Sequence, residues 1–392
     1  MKKAYALLTV LLPILSVYAS PISWFDLGTF CVLVFAIFCL VDVNNLKFSM
    51  SKYLVWNLVY TIATTGINLF IANTKLYSEE LSVIMRTARF AVLLVIMLGI
   101  GYGSYFDFAL IKKYLRVVTL IVAWYAVAQW LFFNVTGAKL INVFAPSKHG
   151  VEFDSALSKY ETTYRPPSLF LEPSSMAYYV MPYLCYTLFR PFVDKKDSKQ
   201  AYIDAGSITL GVICTTSGQG MLCVLAVWAI WVLRYLFTNR AKKGVPVLIA
   251  VVIIAIAVFA TERVSFAFER IFTKDVAGSA VVARYHGYKE FMKLDSAYAI
   301  FGTGYGNYDE NIYFSSFSDI LFCTGLLGFL SVLFMYLRFI RKGCFYKKAL
   351  AIVSLILMAG GGIYTATLLC FYLPLFFVKE EQLNLFQRKG EK

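Results

Sequence analysis

Two apolar stretches decide the fold: YLRVVTLIVAWYAVAQWLFF at residues 114–133, with Arg116 as its one charge, and VPVLIAVVIIAIAVFA at residues 245–260, with none. Their lengths approach the roughly 20 residues that a helix needs to span a bilayer. Because lipid offers no partner to backbone N–H and C=O groups, a spanning segment of this kind must be helical. The two stretches therefore predict an all-α chain embedded in a membrane.

The same apolar character extends along the whole chain. Hydrophobic residues make up 59% of the 392 positions and charged residues only 15%, whereas a soluble domain carries about 25% charged residues. The apolar runs predict a polytopic membrane helical bundle of about twelve transmembrane helices. They lie at residues 4–20, 24–42, 53–72, 83–101, 114–134, 174–191, 202–216, 219–237, 245–260, 317–337, 348–363 and 365–378.

The net charge of +14 follows from the orientation of such a bundle. Most Lys and Arg residues fall into short segments on the side of the N-terminus, for example Lys2, Lys113 and Arg341, whereas Lys75 is the one basic residue in a short loop on the other side. Basic residues are retained in the cytoplasm during insertion. We therefore expect both termini to be cytoplasmic, and the charge does not indicate nucleic acid as a partner.

The first apolar segment, Lys2–Ser20, has two possible interpretations. Its basic start and the small residues near Ala19 are also typical of a secretory signal. A second apolar span follows almost at once, which favours a first helix that is retained. Cleavage would leave about eleven spans.

Two connections are long, at residues 135–173 and 261–316, and both are predicted to lie outside the cell membrane. Loops of this length in a compact protein are usually functional or disordered, and their many Tyr and Phe residues argue against disorder. In the second loop, Val281–Lys293 predicts an amphipathic helix with Tyr285 on one face and His286 on the other. This helix either lies in the membrane interface, where it would suit a lipid-borne substrate, or packs over the bundle.

The segment Tyr164–Ser175 connects the first outer loop to a span. Pro173 suits a first helical turn, so a helix begins here and presents its positive amino end at the outer membrane face. Arg165 can bind a phosphate bidentately, and Tyr164 can contact a sugar. The segment predicts a diphosphate site at the level of the lipid headgroups. The alternative is a Pro-rich turn in which Glu172 caps the helix and Arg165 anchors at the interface.

The second outer loop holds two more candidate groups. Arg284 is a second candidate phosphate ligand, and His286 is a candidate base because imidazole exchanges protons near neutral pH; the alternative is an ordinary surface histidine. The glycine-rich stretch Phe301–Asn307 lacks the strand–helix context of a nucleotide-binding fingerprint. It predicts a tight turn of unusual conformation, in which Tyr305 and Asn307 are candidate sugar contacts.

Two polar features interrupt the apolar spans themselves. Arg86 and Arg89 lie on one face of the fourth span, where arginines are costly and often functional, although near the outer end they can also extend to water. Thr215–Gly220 interrupts a long apolar run. A hairpin turn between two spans explains it, and Ser217 and Gln219 are candidate sugar contacts.

The sequence predicts neither a metal site nor another cofactor. The eight cysteines lie in or beside predicted spans and neither outer loop contains one, so the loops have no disulfide framework. His149 and His286 are the only histidines.

Together these motifs make the chain resemble the Wzy-type polymerases of O-antigen and capsular repeat units, and the related O-antigen ligases. The resemblance covers nearly the whole chain. Its most specific part is RPPSLFLEPS at 165–174, which is similar to the family's Arg-…-Phe-x-Glu-Pro-Ser/Asn signature, and SGQG at 217–220 and FGTGYGN at 301–307 add to it. The ligases carry a His before an Asn, Ser or Gln, then nine residues and Gly-x-x-Gly. Here Phe314 stands at the His position before Ser315, which favours a polymerase.

The resemblance implies a glycosyltransferase of the bacterial cytoplasmic (inner) membrane that acts at its outer face on undecaprenyl-diphosphate-linked oligosaccharide. A sugar hydroxyl of a new repeat unit attacks the anomeric carbon of the growing glycan, and polyprenyl diphosphate leaves without help from a metal because arginines stabilise its charge. Membrane lipid, a chain-length regulator and a flippase are the implied partners. The resemblance implies four ligands for the diphosphate, namely Arg165, Arg284, Arg86 and Arg89. It implies Glu172 as the first choice for the general base and His286 as the second.

Three other functions compete with polymerisation. An O-antigen ligase is the nearest enzymatic alternative. A flippase or transporter of the same lipid-linked sugars would need charged residues through the bundle interior, whereas the polar residues here are concentrated in the outer loops. A purely structural membrane subunit would not require the arginines.

Overall fold

The computed structural model describes residues 1–22, 24–70, 77–143, 164–190, 195–237, 280–309 and 311–379. Within these ranges the chain is helical and has no strand, apart from one isolated bridge between Ala19 and Asp26. The predicted all-α class is therefore confirmed. The predicted span at 245–260, the basic residue Lys75 and the histidine His149 lie outside the described residues.

The described helices follow one another along the chain with mostly short connections. In order, they are α1 (Lys2–Leu15), α2 (Leu27–Val41), α3 (Lys52–Phe70), α4 (Glu80–Tyr105), α5 (Phe108–Thr136), α6 (Pro173–Phe189), α7 (Lys195–Cys214), α8 (Gly218–Phe237), α9 (Ala280–Met292), α10 (Ser296–Phe301), α11 (Ser316–Lys342), α12 (Phe345–Gly360) and α13 (Ala366–Phe377). Wider π-helical turns occupy Val95–Gly101 within α4.

Three of these helices, α4, α5 and α11, are long and apolar enough to cross a membrane. Shorter apolar helices are α2, α13 and the Gly218–Arg234 part of α8. Large apolar side chains also lie on the outside of the helices, such as Phe38, Trp56 and Leu131, where a soluble protein rarely gathers them. The structure thus confirms helices able to span a membrane, while the number of twelve spans stays a prediction.

Helix α6 lies at the centre of the packing. It begins at Pro173, as predicted, and every residue from Met176 to Phe189 is buried. Its neighbours are α5, α7, α8 and α12. The ring of Tyr179 stacks on Phe371 of α13 with centroids 5.0 Å apart, so the two most buried helices are joined directly.

One end of the helices carries basic side chains and is called here the basic end. Arg116 of α5 pairs with Asp204 of α7 (2.7 Å), and Arg338 near the end of α11 donates to the Tyr53 hydroxyl (2.6 Å). The ends of α4 and α13 meet on the same side, since the Tyr102 hydroxyl near the end of α4 donates to the Phe377 carbonyl at the end of α13 (2.9 Å). The first turns of α4, α6, α11 and α13 therefore lie at the opposite end, which is called the loop end.

The helix predicted in the second outer loop is present as α9, Ala280–Met292, but it does not separate a polar face from an apolar one, so the predicted amphipathic pattern is wrong. It packs against α11 through Gly287, where an added Cβ would lie 2.5 Å from Ser318 Oγ and 2.9 Å from the Phe314 ring. Tyr285 and Met292, both predicted on the apolar face, are exposed. The helix thus contacts the bundle through a small residue and leaves large apolar side chains uncovered.

Candidate functional site

A cavity of about 920 Å³ opens at the loop end. Its wall combines the end of α1, the start of α2, the first half of α4, the start of α6, the glycine-rich loop, the start of α11 and the turn before α13. The polar side chains in this wall include Asp26, Glu79, Arg86, Arg89, Ser175, Tyr305 and Asp319. Segments far apart in the sequence therefore meet around one space.

Arg86 is fixed at the cavity wall by three groups. Its Nη1 donates to the Gly306 carbonyl (2.7 Å) and to Ser78 Oγ (3.4 Å). The guanidinium carbon lies 5.1 Å from the ring centroid of Tyr308, a distance at which a cation is attracted to the ring face. The planar cation is thus held in a defined orientation beside the cavity.

Arg89 also lines the cavity, one helical turn further along α4, and it has an acidic partner. Its Nη2 donates to Asp26, which is 1% exposed, and its Nε donates to Thr29 Oγ1 (3.0 Å). Asp26 in turn accepts the backbone N–H of Thr29 (2.7 Å) and so caps α2. The Arg89–Asp26 pair therefore ties α4 to the first turn of α2.

The glycine-rich loop, Phe301–Asn307, docks on α3 and α4. The Tyr305 N–H donates to Thr65 Oγ1 (2.8 Å), and the Asn68 amide donates to the Gly302 carbonyl (3.0 Å). Thr87 Oγ1 donates to the Tyr305 carbonyl (3.2 Å). Burial raises the pKa of the Tyr305 phenol, so this cavity-lining group stays a neutral hydrogen-bonding group at ordinary pH.

The same loop caps a break in α11. Gly325 has φ +65° and ψ −174° inside this helix, a conformation open almost only to glycine. The carbonyls of Phe322 and Cys323, just before the break, accept the N–H groups of Thr303 and Gly304 (both 3.0 Å). The predicted tight turn is confirmed, and its backbone replaces helical hydrogen bonds that the break removes.

The stretch before α6 is held in place by hydrogen bonds from α5. Gln129, which is fully buried, accepts the Ser168 N–H (2.8 Å) and donates to the Ser168 carbonyl (3.3 Å). Ser168 has φ +58°, and its hydroxyl donates to the Val122 carbonyl (2.6 Å). Leu171 and Ser175 reach the cavity. The carboxylate of Glu172 instead accepts the Ser174 hydroxyl (2.8 Å).

Other predicted site residues lie away from this cavity. His286 is exposed on α9, and Arg284 belongs to the same helix, with a side chain outside the described part of the structure. Arg165 is partly buried, and Tyr164 packs against the Phe133 ring at 4.7 Å. Among the described side chains, those of Tyr164, Arg165 and His286 do not line the cavity.

The remaining predicted sugar contacts are buried and hold backbone groups. The Gln219 amide donates to the Leu357 carbonyl (2.8 Å) and accepts the Tyr178 hydroxyl (2.9 Å). Ser217 Oγ accepts the N–H of Gly220 (3.2 Å) in the turn between α7 and α8, so the predicted hairpin turn is confirmed. The Asn307 amide donates to the Thr303 carbonyl (3.0 Å). Of the five predicted sugar contacts, Tyr305 is the one in the described cavity wall.

Sequence reasoning did not select Asp319, although this residue lines the cavity from the first turn of α11. The available signal was that Asp319 is the one charged residue in the predicted span 317–337. A charged side chain within a membrane span is energetically costly, so such residues are rare and often functional.

Within the described residues no three His, Cys, Asp or Glu side chains are grouped so that they could hold a metal ion. No family model and no curated protein matches this chain.

Proposed function

We propose that this protein polymerises polyprenyl-diphosphate-linked oligosaccharide repeat units at the outer face of the bacterial cytoplasmic membrane, by glycosyl transfer that uses no metal. One observation carries the proposal. The cavity joins Arg86 and Arg89 of α4, Leu171 and Ser175 at the start of α6, and Tyr305 of the glycine-rich loop. The sequence predicts these three segments separately as parts of a site for a lipid-linked sugar diphosphate.

The distribution of charge supports the orientation that this function requires. Basic side chains such as Arg116 and Arg338 lie at the basic end, which the retention of positive charge in the cytoplasm assigns to the inner face. The cavity then opens at the outer face, where flipped repeat units are available. A multi-pass bundle of about twelve spans with cytoplasmic termini completes the proposed topology.

The size and chemistry of the cavity suit such a substrate. Its volume of about 920 Å³ falls at the upper end of the roughly 300–1,000 Å³ typical of small-molecule sites. The amino end of α6 and the Arg86 guanidinium both favour a negatively charged group. We assign the diphosphate to this region, with Arg86 and Arg89 of the cavity wall as its ligands; binding by Arg165 and Arg284 stays a prediction from the sequence.

The environment of Phe314 favours a polymerase over the ligase alternative. This residue stands at the position of the ligase histidine, and its ring packs against Phe322 (5.1 Å) and Tyr308 (5.4 Å). The phenyl ring at this position offers no group that exchanges protons. Ligase chemistry that depends on the histidine has no counterpart here.

Elongation in vitro tests the proposal directly. Single lipid-linked repeat units are extracted from a deletion strain and incubated with the purified full-length protein in nanodiscs. A ladder of longer lipid-linked products is the expected result, and protein-free nanodiscs serve as the control. Unchanged single units with folded protein would contradict polymerisation. Accumulation of the units at the cytoplasmic face of the deletion strain would indicate a flippase instead.

A further inference from the structure

Three carboxylates lie within the described helix packing, and they differ in their partners. Asp26 pairs with Arg89, and Asp204 receives hydrogen bonds from Arg116 and two neutral side chains. Asp319 has a single described donor, the thiol of Cys323 (3.2 Å), and no salt bridge within the described residues. A thiol is a weak donor. Of these three carboxylates, Asp319 is therefore the one whose hydrogen-bonding capacity is least used.

The remaining capacity of Asp319 opens into the cavity. The residue belongs to the cavity wall, and neither of its oxygens is among the buried, unpartnered atoms of the described structure. The positive charge of Arg86 interacts electrostatically with the Asp319 carboxylate, and the phenols of Tyr305 and Tyr364 lie near that carboxylate. A carboxylate in the first turn of an apolar helix destabilises the fold when its hydrogen bonds are not all made. Contact with a ligand in the cavity would offset that cost.

We propose that Asp319 is the general base of the glycosyl transfer, an inference that rests on the proposed function. Asp319 removes the proton from the acceptor sugar hydroxyl as that oxygen forms a bond to the anomeric carbon of the growing glycan. The bond between the anomeric carbon and the diphosphate oxygen breaks, and its electron pair leaves with polyprenyl diphosphate. The leaving group takes up the proton afterwards, so the carboxylate is regenerated.

Geometry separates Asp319 from the two bases predicted from sequence. His286 is exposed on α9, and Glu172 is engaged by Ser174; neither belongs to the described cavity wall. A base must lie within hydrogen-bond reach of the proton it removes. Arg86, held at the same cavity, is placed to stabilise the charge that develops on the leaving diphosphate.

The test compares Asp319→Asn with Asp42→Asn in the full-length protein in nanodiscs, with extracted lipid-linked repeat units as the probe. Asp42 follows the end of α2 toward the basic end and is partly exposed, so its replacement controls for the loss of one negative charge. We expect Asp319→Asn to lower the elongation rate by about 100-fold or more while it still binds the repeat unit. Asp42→Asn should keep a rate within about twofold of wild type, because this carboxylate lies at the end of α2 opposite the cavity, far from the chemistry.

The outcomes separate this proposal from the general function. If wild type fails to elongate, polymerisation itself is wrong. If wild type elongates and Asp319→Asn keeps a rate within about threefold of it, which is far less than the loss of a base causes, polymerisation stands and Asp319 is not the base. Loss of both binding and rate in Asp319→Asn also overturns the proposal, since a base acts on the chemical step.

Asp319→Glu decides the question if the Asn variant does not fold. The elongation rate of wild type should fall at low pH, where a carboxylate base becomes protonated; this fall is called the acid limb of the pH–rate profile. The Glu variant should retain part of the rate, and its acid limb should lie at a different pH. Asp26, paired with Arg89, and Glu79 are the other carboxylates in the described wall. An acid limb that is identical in wild type and Asp319→Glu would assign it to one of them and overturn the proposal.

Discussion

Gly302 and Gly325 approach each other so closely that a Cβ on Gly325 would lie 2.5 Å from the Gly302 nitrogen and 2.3 Å from the Ile300 carbonyl oxygen. Both have positive φ. The break in α11 and the glycine-rich loop therefore form one unit, in which backbone packs directly against backbone. This unit fixes two groups of the cavity wall, Tyr305 from the loop and Asp319 from the start of α11.

Replacing Gly325 with alanine should destabilise this unit. The side chain would occupy a conformation that costs about 1–3 kcal/mol and would also clash with backbone, so we expect a loss of more than about 2 kcal/mol of unfolding free energy. Thermal unfolding in detergent measures it. Gly66→Ala is the control, because an added Cβ at Gly66 of α3 meets nothing within 4 Å. Equal midpoints for the two variants would refute the close contact.

Arg86→Lys should reduce elongation by about 10- to 100-fold, the range expected when a charge-assisted hydrogen bond is lost. Lysine keeps the charge and loses the planar fork that reaches the Gly306 carbonyl and a phosphate together. Arg338→Lys is a matched control at the basic end, since its guanidinium lies 5.1 Å from the Tyr53 ring centroid, as Arg86 does from Tyr308. Similar rates for both variants would show that the fork at Arg86 has no role in turnover.

The Arg89–Asp26 pair should contribute to stability through coupling between the two side chains. Asp26 is buried, while the Arg89 side chain is 28% exposed, so water screens part of the attraction and we expect each single replacement, Asp26→Asn or Arg89→Met, to cost about 2 kcal/mol. The double variant should lose less than the sum. Unfolding of all four proteins completes the cycle. Strict additivity would contradict the predicted coupling between the two side chains.

Gln129→Leu should loosen the stretch that precedes α6. The change leaves the N–H and carbonyl of Ser168 without partners inside the protein, which costs about 1–3 kcal/mol, and elongation should fall because Leu171 and Ser175 lose their support. Asn134→Leu is the control on the same helix, where an exposed amide donates to the Trp130 carbonyl of its own helix. Wild-type stability of the Gln129 variant would contradict a role for these hydrogen bonds.

Local features of the fold were predictable from sequence because their causes are local. The start of α6 follows from Pro173, and the turn at 215–220 follows from a polar run between apolar ones. The helical character of α5 follows from composition alone. These features need only the preference of a proline, a glycine or an apolar run for one backbone state.

The break at Gly325 could not be predicted in the same way. Its neighbours form an ordinary apolar span, and glycine is common in membrane helices. Only the approach of the Ile300 carbonyl from another segment shows why the helix must open there. The pairing of Arg89 with Asp26 had the same difficulty, because the two residues lie 63 positions apart in the chain.

The bonds between the glycine-rich loop and the early helices have a consequence for biosynthesis. Thr65 and Arg86 leave the ribosome 240 and 220 residues before their partners in the loop. Until then α3 and α4 carry polar groups into lipid without those partners, a state that the membrane disfavours. The cavity wall is therefore completed late in translation, when the glycine-rich loop is synthesised and forms hydrogen bonds with the polar groups of α3 and α4.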